Sequence, residues 1–85
     1  MQNKNFIQRS LKSVWHPCSQ MKHYEQNNLI PIKRAKGVWL YDFDGNKYLD
    51  ATSSWWVNLF GHNQPLIKAK IKKQIDLLEH SMIAG

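Results

Sequence analysis

The stretch that decides the fold is residues 37–50, which read GVWLYDFDGNKYLD. Two β-prone runs flank Asp44-Gly45, and glycine tolerates the positive φ that tight turns demand. The pattern therefore predicts a β-hairpin over residues 37–50. A two-residue loop predicts three cross-strand pairs: Tyr41 with Tyr48, Leu40 with Leu49, and Asp42 with Lys47. A longer loop that starts at Asp42, with Gly45 in the left-handed conformation, is the alternative.

After the hairpin, the spacing of apolar residues changes to that of an α-helix. These residues recur every three or four positions: Ile67, Ile71, Ile75, Leu78 and Met82. The spacing predicts an amphipathic helix over residues 64–80. The Asn63 side chain is predicted to cap its first turn, where Pro65 is tolerated because its missing N–H would be unpaired anyway.

Before the hairpin, residues 1–28 are polar and basic with scattered apolar positions. Five of them approximate a helical stripe: Phe6, Ile7, Leu11, Val14 and Trp15. The stripe favours a short helix that ends before His16-Pro17, because proline disfavours helical backbone in the residue before it. The segment 29–32 is predicted to be extended and to enter the edge of a sheet.

Size and composition limit what the chain can do by itself. A folded monomer of 10.0 kDa would expose about 5,200 Å², against roughly 14,500 Å² for the unfolded chain. Hydrophobic burial then contributes roughly 130 kcal/mol, and ordering the chain at ~1.5 kcal/mol per residue costs about the same. These two terms cancel, so the sequence predicts only marginal independent stability.

Charge, cysteine content and the N-terminus narrow the class of protein. The net charge of +6 permits an anionic partner. Cys18 is the one cysteine, which excludes an intrachain disulfide. No apolar run approaches the ~18 residues of a membrane span, and the first residues lack the apolar core of a secretory signal. The expected compartment is the cytoplasm.

The most informative polar and aromatic stretch is Ser53-Ser54-Trp55-Trp56. On an extended chain, adjacent side chains point in opposite directions, so one tryptophan can enter a core while its neighbour faces a cleft. A large flat ring that faces a cleft makes a good wall for an apolar chain or a planar ring. Two core tryptophans are the equally weighted alternative.

Other clusters favour structural interpretations. Asp42-x-Asp44-Gly45 looks like the start of a calcium loop, but Lys47 and Ser53 stand where that loop needs glycine and glutamate, so no metal site is expected. Cys18 has no third group to activate it and is interpreted as a plain thiol. The histidines lack metalloprotease spacing. A solvated helix face is the favoured interpretation of four lysines: Lys68, Lys70, Lys72 and Lys73.

Several of these stretches resemble one family. Residues 37–50 are similar to the N-terminal hairpin of class III pyridoxal-phosphate aminotransferases. Gly61-His62-Asn63, followed by residues 65–67 and Gln74, resembles the glycine-histidine turn and the helix after it. Two further stretches, residues 15–17 with Met21 and residues 53–56, resemble the branch of the family that acts in biotin synthesis. The ending, LEHSMIAG at 78–85, fits that branch, and the resemblance covers about residues 11–85.

The resemblance implies a fold and a domain organisation. The chain would be an α+β fragment with an irregular or short helical N-terminal segment, an antiparallel β-hairpin, a Trp-Trp loop and an amphipathic helix. Residues 1–85 would form a single partial domain, the N-terminal segment of a class III aminotransferase. They would belong to the small domain of a fold type I pyridoxal-phosphate transferase and to the start of its large domain.

The resemblance also implies a reaction. The branch transfers an amino group from S-adenosylmethionine to 8-amino-7-oxononanoate, giving 7,8-diaminononanoate, with pyridoxal 5'-phosphate as cofactor. Trp55 would contact substrate and Trp56 would pack. Cys18 stands where the family commonly has a substrate-binding tyrosine, and it can neither stack on adenine nor offer a phenol. The Schiff-base lysine would lie beyond residue 85, so the chain alone is predicted to be inactive, with no catalytic, cofactor-binding or metal residue of its own.

The implied full-length enzyme would be a cytoplasmic homodimer that binds small molecules, with no nucleic acid or membrane partner. Two alternatives stay open. One is a fragment of another class III aminotransferase that uses an ω-amino acid. The other is a small basic module that binds RNA or an anionic surface, which the charge of +6 and the aromatic residues would permit.

Overall fold

The centre of the chain is a three-stranded antiparallel sheet. The computed structural model describes residues 1–84, and its strands are β1 (Ile32–Lys36), β2 (Trp39–Asp42) and β3 (Lys47–Leu49), in the order β1-β2-β3. The hairpin predicted over residues 37–50 is confirmed as β2 and β3. The predicted extended segment at 29–32 leads into β1, which adds a third strand at the other edge of β2.

The hairpin takes the longer of the two predicted loops. The pairing implied by a two-residue loop is wrong: Tyr41 pairs with Lys47 and Leu40 with Tyr48. The reason is Asp42, whose Oδ1 accepts hydrogen bonds from the backbone N–H groups of Asp44 at 3.0 Å and Asn46 at 2.8 Å. These bonds close a loop over residues 43–45, and Gly45 takes the left-handed conformation it needs, with φ +91°.

The observed register places cations over aromatic rings on one face of the sheet. The Arg34 guanidinium lies 3.6 Å from the ring centroid of Tyr41, its partner across β1 and β2. The Lys47 ammonium lies 3.8 Å from the ring centroid of Trp39. Cation–π pairs of this kind favour the register that brings them together.

Helix α1 (Gln2–Ser13) docks on the tip of the hairpin. The short helix predicted before His16-Pro17 is therefore confirmed, and the chain is already extended at Val14. The Asn3 side chain donates to Asp42 Oδ2 at 2.8 Å and accepts from the backbone N–H of Phe43 at 3.0 Å. The Phe6 ring stacks on the Phe43 ring with centroids 3.9 Å apart.

Helix α3 (Pro65–Ile75) is shorter than the predicted range of 64–80. Its N-cap is Gln64, whose side chain accepts from the backbone N–H of Ile67 at 2.8 Å, so the predicted cap at Asn63 is wrong. Asn63 is instead left-handed, with φ 57°. The helix ends early because the backbone N–H groups of Leu77 and Leu78 both turn back to the carbonyl of Gln74.

The described chain buries almost nothing. Within residues 1–84 no hydrophobic side chain is buried, and Asp42, 3% exposed, is the sole buried polar residue. The accessible surface is 7825 Å², well above the roughly 5,200 Å² of a compact monomer of this mass. The architecture is the α+β arrangement predicted for an aminotransferase segment. Gly85, the last residue of the predicted partial domain, lies outside the described residues.

A short 3₁₀ helix, Met21–Glu25, connects the N-terminal helix to the strand region. No helix in the described part of the chain combines the length and the apolar character needed to cross a membrane.

Candidate functional site

The Ser-Ser-Trp-Trp stretch forms one turn of left-handed helix, α2 (Ser53–Trp56). All four residues have positive φ, from 49° to 72°, and the backbone N–H of Trp56 donates to the carbonyl of Thr52 at 2.8 Å. The extended conformation predicted for this stretch is wrong. Left-handed backbone costs ~1–2 kcal/mol per non-glycine residue, and such strain is concentrated at functional sites.

Asp50 holds this turn in place. Its Oδ1 accepts from the backbone N–H of Ser54 at 2.9 Å, and its Oδ2 accepts from the Ser54 hydroxyl at 2.8 Å. The same Oδ2 lies 2.6 Å from Nε2 of His62. The Ser54 backbone N–H, His62 and the Ser54 hydroxyl lower the pKa of Asp50 to about 2, against a partial rise from burial. We call these three residues, Asp50, Ser54 and His62, the Asp50 cluster.

Backbone pairs fix the Asp50 cluster to the sheet. Gly37 and His62 exchange two hydrogen bonds, at 3.0 and 2.8 Å, and the backbone N–H of Asp50 donates to the carbonyl of Val38 at 2.8 Å. Gly61, with φ +82°, permits this approach: a Cβ there would lie 3.2 Å from Cα of Gly37. The residues on either side of segment 51–61, Asp50 and His62, therefore pair with the adjacent residues Val38 and Gly37. The ends of the segment lie close together, as in an Ω-loop.

The turn presents two tryptophan rings to solvent. Trp55 is 65% exposed and Trp56 is 80% exposed, with ring centroids 6.4 Å apart and ring planes inclined by 65°. Within the described residues Trp56 contacts no core, and its packing in the longer polypeptide stays a prediction.

Cys18 lies on a separate loop. It is exposed and left-handed, with φ 54°. The loop is held by Tyr24, whose hydroxyl donates to Ser19 Oγ at 2.8 Å, and by Ser19, whose hydroxyl donates to the carbonyl of Pro17 at 3.1 Å. Within residues 1–84 no hydrogen bond joins this loop to α2, so the structure does not bring Cys18 and Trp55 into one hydrogen-bonded site.

A groove of about 460 Å³ lies beside α2, between residues 57–64 and helix α3. Leu59, Phe60, Ile67 and Ile71 contribute apolar surface to it, and all four are largely exposed. Two residues of the apolar stripe predicted for α3, Ile67 and Ile71, therefore line this open groove.

The described residues do not fit pyridoxal phosphate. Its chemistry needs a lysine, an acid beside the pyridine nitrogen and a phosphate cup. The lysines of α3 are exposed and surround no enclosed cavity. The carboxylate of Asp42 already accepts from its neighbours, including Asn46 Nδ2 at 2.7 Å and the Tyr48 hydroxyl at 2.8 Å. No group of three or more potential metal ligands occurs within residues 1–84.

Sequence reasoning missed Asp50 and Ser54 as members of a cluster. Asp50 was predicted only as the end of the hairpin, although a carboxylate followed by two serines is a pattern in which side chains bond to nearby backbone N–H groups. The spacing of the histidines excluded only a metalloprotease role, whereas the pairing of His62 with Asp50 gives this residue a structural contact.

Comparison with known proteins identifies the family. The family model described as aminotransferase class-III matches residues 20–85. The adenosylmethionine-8-amino-7-oxononanoate aminotransferase of Helicobacter pylori is 52% identical over 82 residues, which are 96% of this chain and 19% of the relative. The crystal structure of the Methanocaldococcus jannaschii protein of the same name superposes with a TM-score of 0.85 at 44% identity, over 96% of this chain and 19% of that one.

More distant structures share the fold. An ω-transaminase from Thermomicrobium roseum superposes with a TM-score of 0.82 at 19% identity, covering 92% of this chain and 17% of its own. The chain thus spans under a fifth of the length of the proteins it matches. The family match covers most of the 85 residues, and the hairpin, the turn and the helix lie in the order that the sequence predicted, so the chain belongs to the class III aminotransferases.

Proposed function

We propose that this chain is the N-terminal part of an aminotransferase that transfers an amino group from S-adenosylmethionine to 8-amino-7-oxononanoate, giving 7,8-diaminononanoate. One observation carries the proposal: the Helicobacter pylori relative named for this reaction is identical at 52% of positions over nearly the whole chain. Because the chain spans under a fifth of that relative, the activity belongs to the longer polypeptide. The 85 residues alone are inactive.

In this proposal, Trp55 forms one wall of the substrate site. Its exposed indole is large, flat and rigid, which suits contact with the apolar chain of an amino-oxo acid or with an adenine ring. Trp56 is also exposed and is available to pack against parts of the longer polypeptide. Cys18 stands where the family commonly has a substrate-binding tyrosine, so donor recognition relies on Trp55 more than on that position.

The cofactor of the proposed enzyme is pyridoxal 5'-phosphate, which supplies the electron sink for amino transfer when bound. Residues outside the described chain hold it, including the Schiff-base lysine. The proposed enzyme is a homodimer in the cytoplasm, with small-molecule substrates and neither nucleic acid nor membrane as partner. The ω-amino-acid alternative is not favoured, because the ω-transaminase likeness is one of fold alone.

The RNA-binding alternative is not favoured either. Such a module needs lysines gathered beside exposed aromatic rings. Here the lysine-rich helix α3 and the exposed pair Trp55 and Trp56 are separate segments. The two cations over rings of the sheet are one arginine, on the half-buried Tyr41, and one lysine, on Trp39.

The test is a hybrid enzyme, in which this chain replaces the matching segment of the Methanocaldococcus jannaschii relative. That relative suits the exchange because its crystal structure superposes on 96% of the chain. We expect the hybrid to convert 8-amino-7-oxononanoate with S-adenosylmethionine as donor. Replacing Trp55 by Ala in the hybrid is expected to lower kcat/KM by roughly 10²-fold, because misplaced substrate reacts slowly.

The matched control is Lys68→Ala, which removes an exposed charge on α3 without touching α2. We expect it to leave kcat/KM unchanged. A hybrid that folds, binds pyridoxal phosphate and still fails to use these two substrates, while accepting an ω-amino acid, would overturn the proposed substrate assignment.

A further inference from the structure

We propose that Asp50 is a positioning residue that, together with His62, sets the orientation of Trp55 by holding Ser53–Trp56 in the left-handed turn. The role of Trp55 as a substrate wall rests on the proposed function, but the positioning itself rests on geometry alone. Asp50 precedes Trp55 by five residues, and its carboxylate bonds to Ser54 and His62.

The first step of the argument is that the turn needs an external constraint. Serine and tryptophan have no intrinsic preference for left-handed backbone, and four such residues follow one another here. The backbone hydrogen bonds of α2, from Trp56 to Thr52 and from Val57 to Ser53, are those of any single helical turn. A right-handed turn would form similar bonds with less strain, so these bonds do not select the left-handed form.

The second step is that Asp50 makes the bonds that can select it. The backbone N–H of Ser54 points at Oδ1 only when the peptide before Ser54 has its present orientation. The Ser54 hydroxyl bond to Oδ2 fixes the side chain of the same residue. Two bonds from one residue to one carboxylate therefore fix the backbone immediately before Trp55.

The third step is that the carboxylate is itself fixed. Oδ2 is hydrogen-bonded to His62, whose backbone exchanges two hydrogen bonds with Gly37, the residue directly after β1. The side chain of Asp50 is only 7% exposed, and the imidazole side chain of His62 is 19% exposed. The orientation of the turn is thereby set relative to the sheet, which is what a substrate wall requires.

The test uses crystal structures and kinetics of the hybrid enzyme, its Asp50→Ala variant and its Asp50→Asn variant. In Asp50→Ala we expect φ of residues 53–56 to leave the positive region and KM for 8-amino-7-oxononanoate to rise roughly tenfold, with a smaller change in kcat. Asn keeps an acceptor for the Ser54 N–H but cannot also accept from His62 through its amide nitrogen. Asp50→Asn should therefore recover part of the KM.

The control is Asp76→Ala, at the C-cap of α3, where the side chain makes no hydrogen bond in the described residues. It should change neither φ in α2 nor KM. If Asp50→Ala fails to fold, Ser54→Ala removes only the hydroxyl bond and is expected to give a smaller rise in KM. Positive φ retained at residues 53–56 together with an unchanged KM, in Asp50→Ala or in both milder variants, would contradict the proposal.

The two proposals fail separately. A hybrid with a left-handed turn that collapses in Asp50→Ala, but with no activity toward the named substrates, supports positioning and overturns the function. A hybrid that is active with these substrates and has the same turn with or without the Asp50 carboxylate supports the function and overturns positioning.

Discussion

Asp42 and Asp50 are carboxylates at the two ends of the hairpin region, and each organises a different turn. Burial raises the pKa of Asp42, but hydrogen bonds from Asn46, Asn3 and Tyr48 outweigh this effect and hold the pKa well below its ordinary value. The bond to Asp42 in turn raises the pKa of Tyr48. Asp50 reaches its pKa of about 2 chiefly through Ser54 and His62. Both turns depend on an ionised carboxylate.

The first prediction concerns acid. The pKa of Asp50 is about 2 in the folded chain and 3.8 in the unfolded chain. The ionised carboxylate therefore stabilises the folded state fully above pH 4, and this stabilisation is lost as the pH falls toward 2. The pKa of Asp42 is also lowered by folding, so its ionised carboxylate likewise stabilises the folded state less as the pH falls. We expect the free energy of unfolding of the hybrid enzyme to fall over this range, measured by urea titration at successive pH values. The Asp50→Asn variant should show a smaller fall, and equal pH dependence in the two proteins would contradict the assignment.

At the scale of elements, α1 depends on a residue from another element. Its N-cap position, Met1, provides no side-chain cap. Instead Oδ1 of Asp44, in the hairpin loop, accepts from the backbone N–H of Gln2 at 2.9 Å and that of Asn3 at 3.4 Å. A negative charge at this end also complements the helix dipole. The hairpin loop therefore stabilises the start of the N-terminal helix.

The second prediction tests this dependence. Replacing Asp44 by Ala should destabilise α1 by about 1 kcal/mol, or roughly fivefold in its local opening equilibrium. Hydrogen exchange of residues 2–13 in the hybrid enzyme measures this change. Asp44→Asn keeps the accepting oxygen and should restore most of the protection. If hydrogen exchange is unchanged in Asp44→Ala, the Phe6–Phe43 stack and the Asn3 contacts are enough to stabilise α1 without the cap, which would contradict the prediction.

Local elements were predictable from the sequence because their causes are local. The hairpin follows from Asp44-Gly45 between β-prone runs, and the core of α3 follows from the isoleucine spacing. The register was missed because it depends on which backbone groups the Asp42 carboxylate accepts. The left-handed α2 was missed because the local bonds from Ser54 to Asp50 act together with a longer-range contact, in which His62 pairs with Gly37 and with the Asp50 carboxylate. The sequence indicated Trp55 as a substrate contact, which stays a prediction, but it did not indicate that Asp50 and His62 hold the turn.

At the scale of the whole molecule, the chain is extended rather than compact and buries almost no side chains. Its radius of gyration is 16.3 Å, against about 12 Å for a compact domain of this length. Exposed apolar side chains line the groove between residues 57–64 and α3, among them Leu59 and Phe60. In the proposed enzyme, further polypeptide covers this surface.

The third prediction follows from that surface. The 85-residue chain alone should show no cooperative urea transition, because it buries too little apolar area, whereas the hybrid enzyme should unfold cooperatively. Circular dichroism during urea titration compares the two. A sharp transition of the isolated chain, with an m value of ~1 kcal/mol/M or more, would show that it folds as an independent domain.

Because the two ends of segment 51–61 lie close together, the loop can vary between related enzymes. Its two ends bond to the adjacent residues Val38 and Gly37, so the sheet need not move when the contents of the loop change. Lengthening such a loop adds little closure entropy. The segment can therefore be exchanged between relatives as a cassette, with Asp50 and His62 kept as its fixed ends. In the proposed enzyme, a new loop would then change the substrate contacts while the sheet stayed as it is.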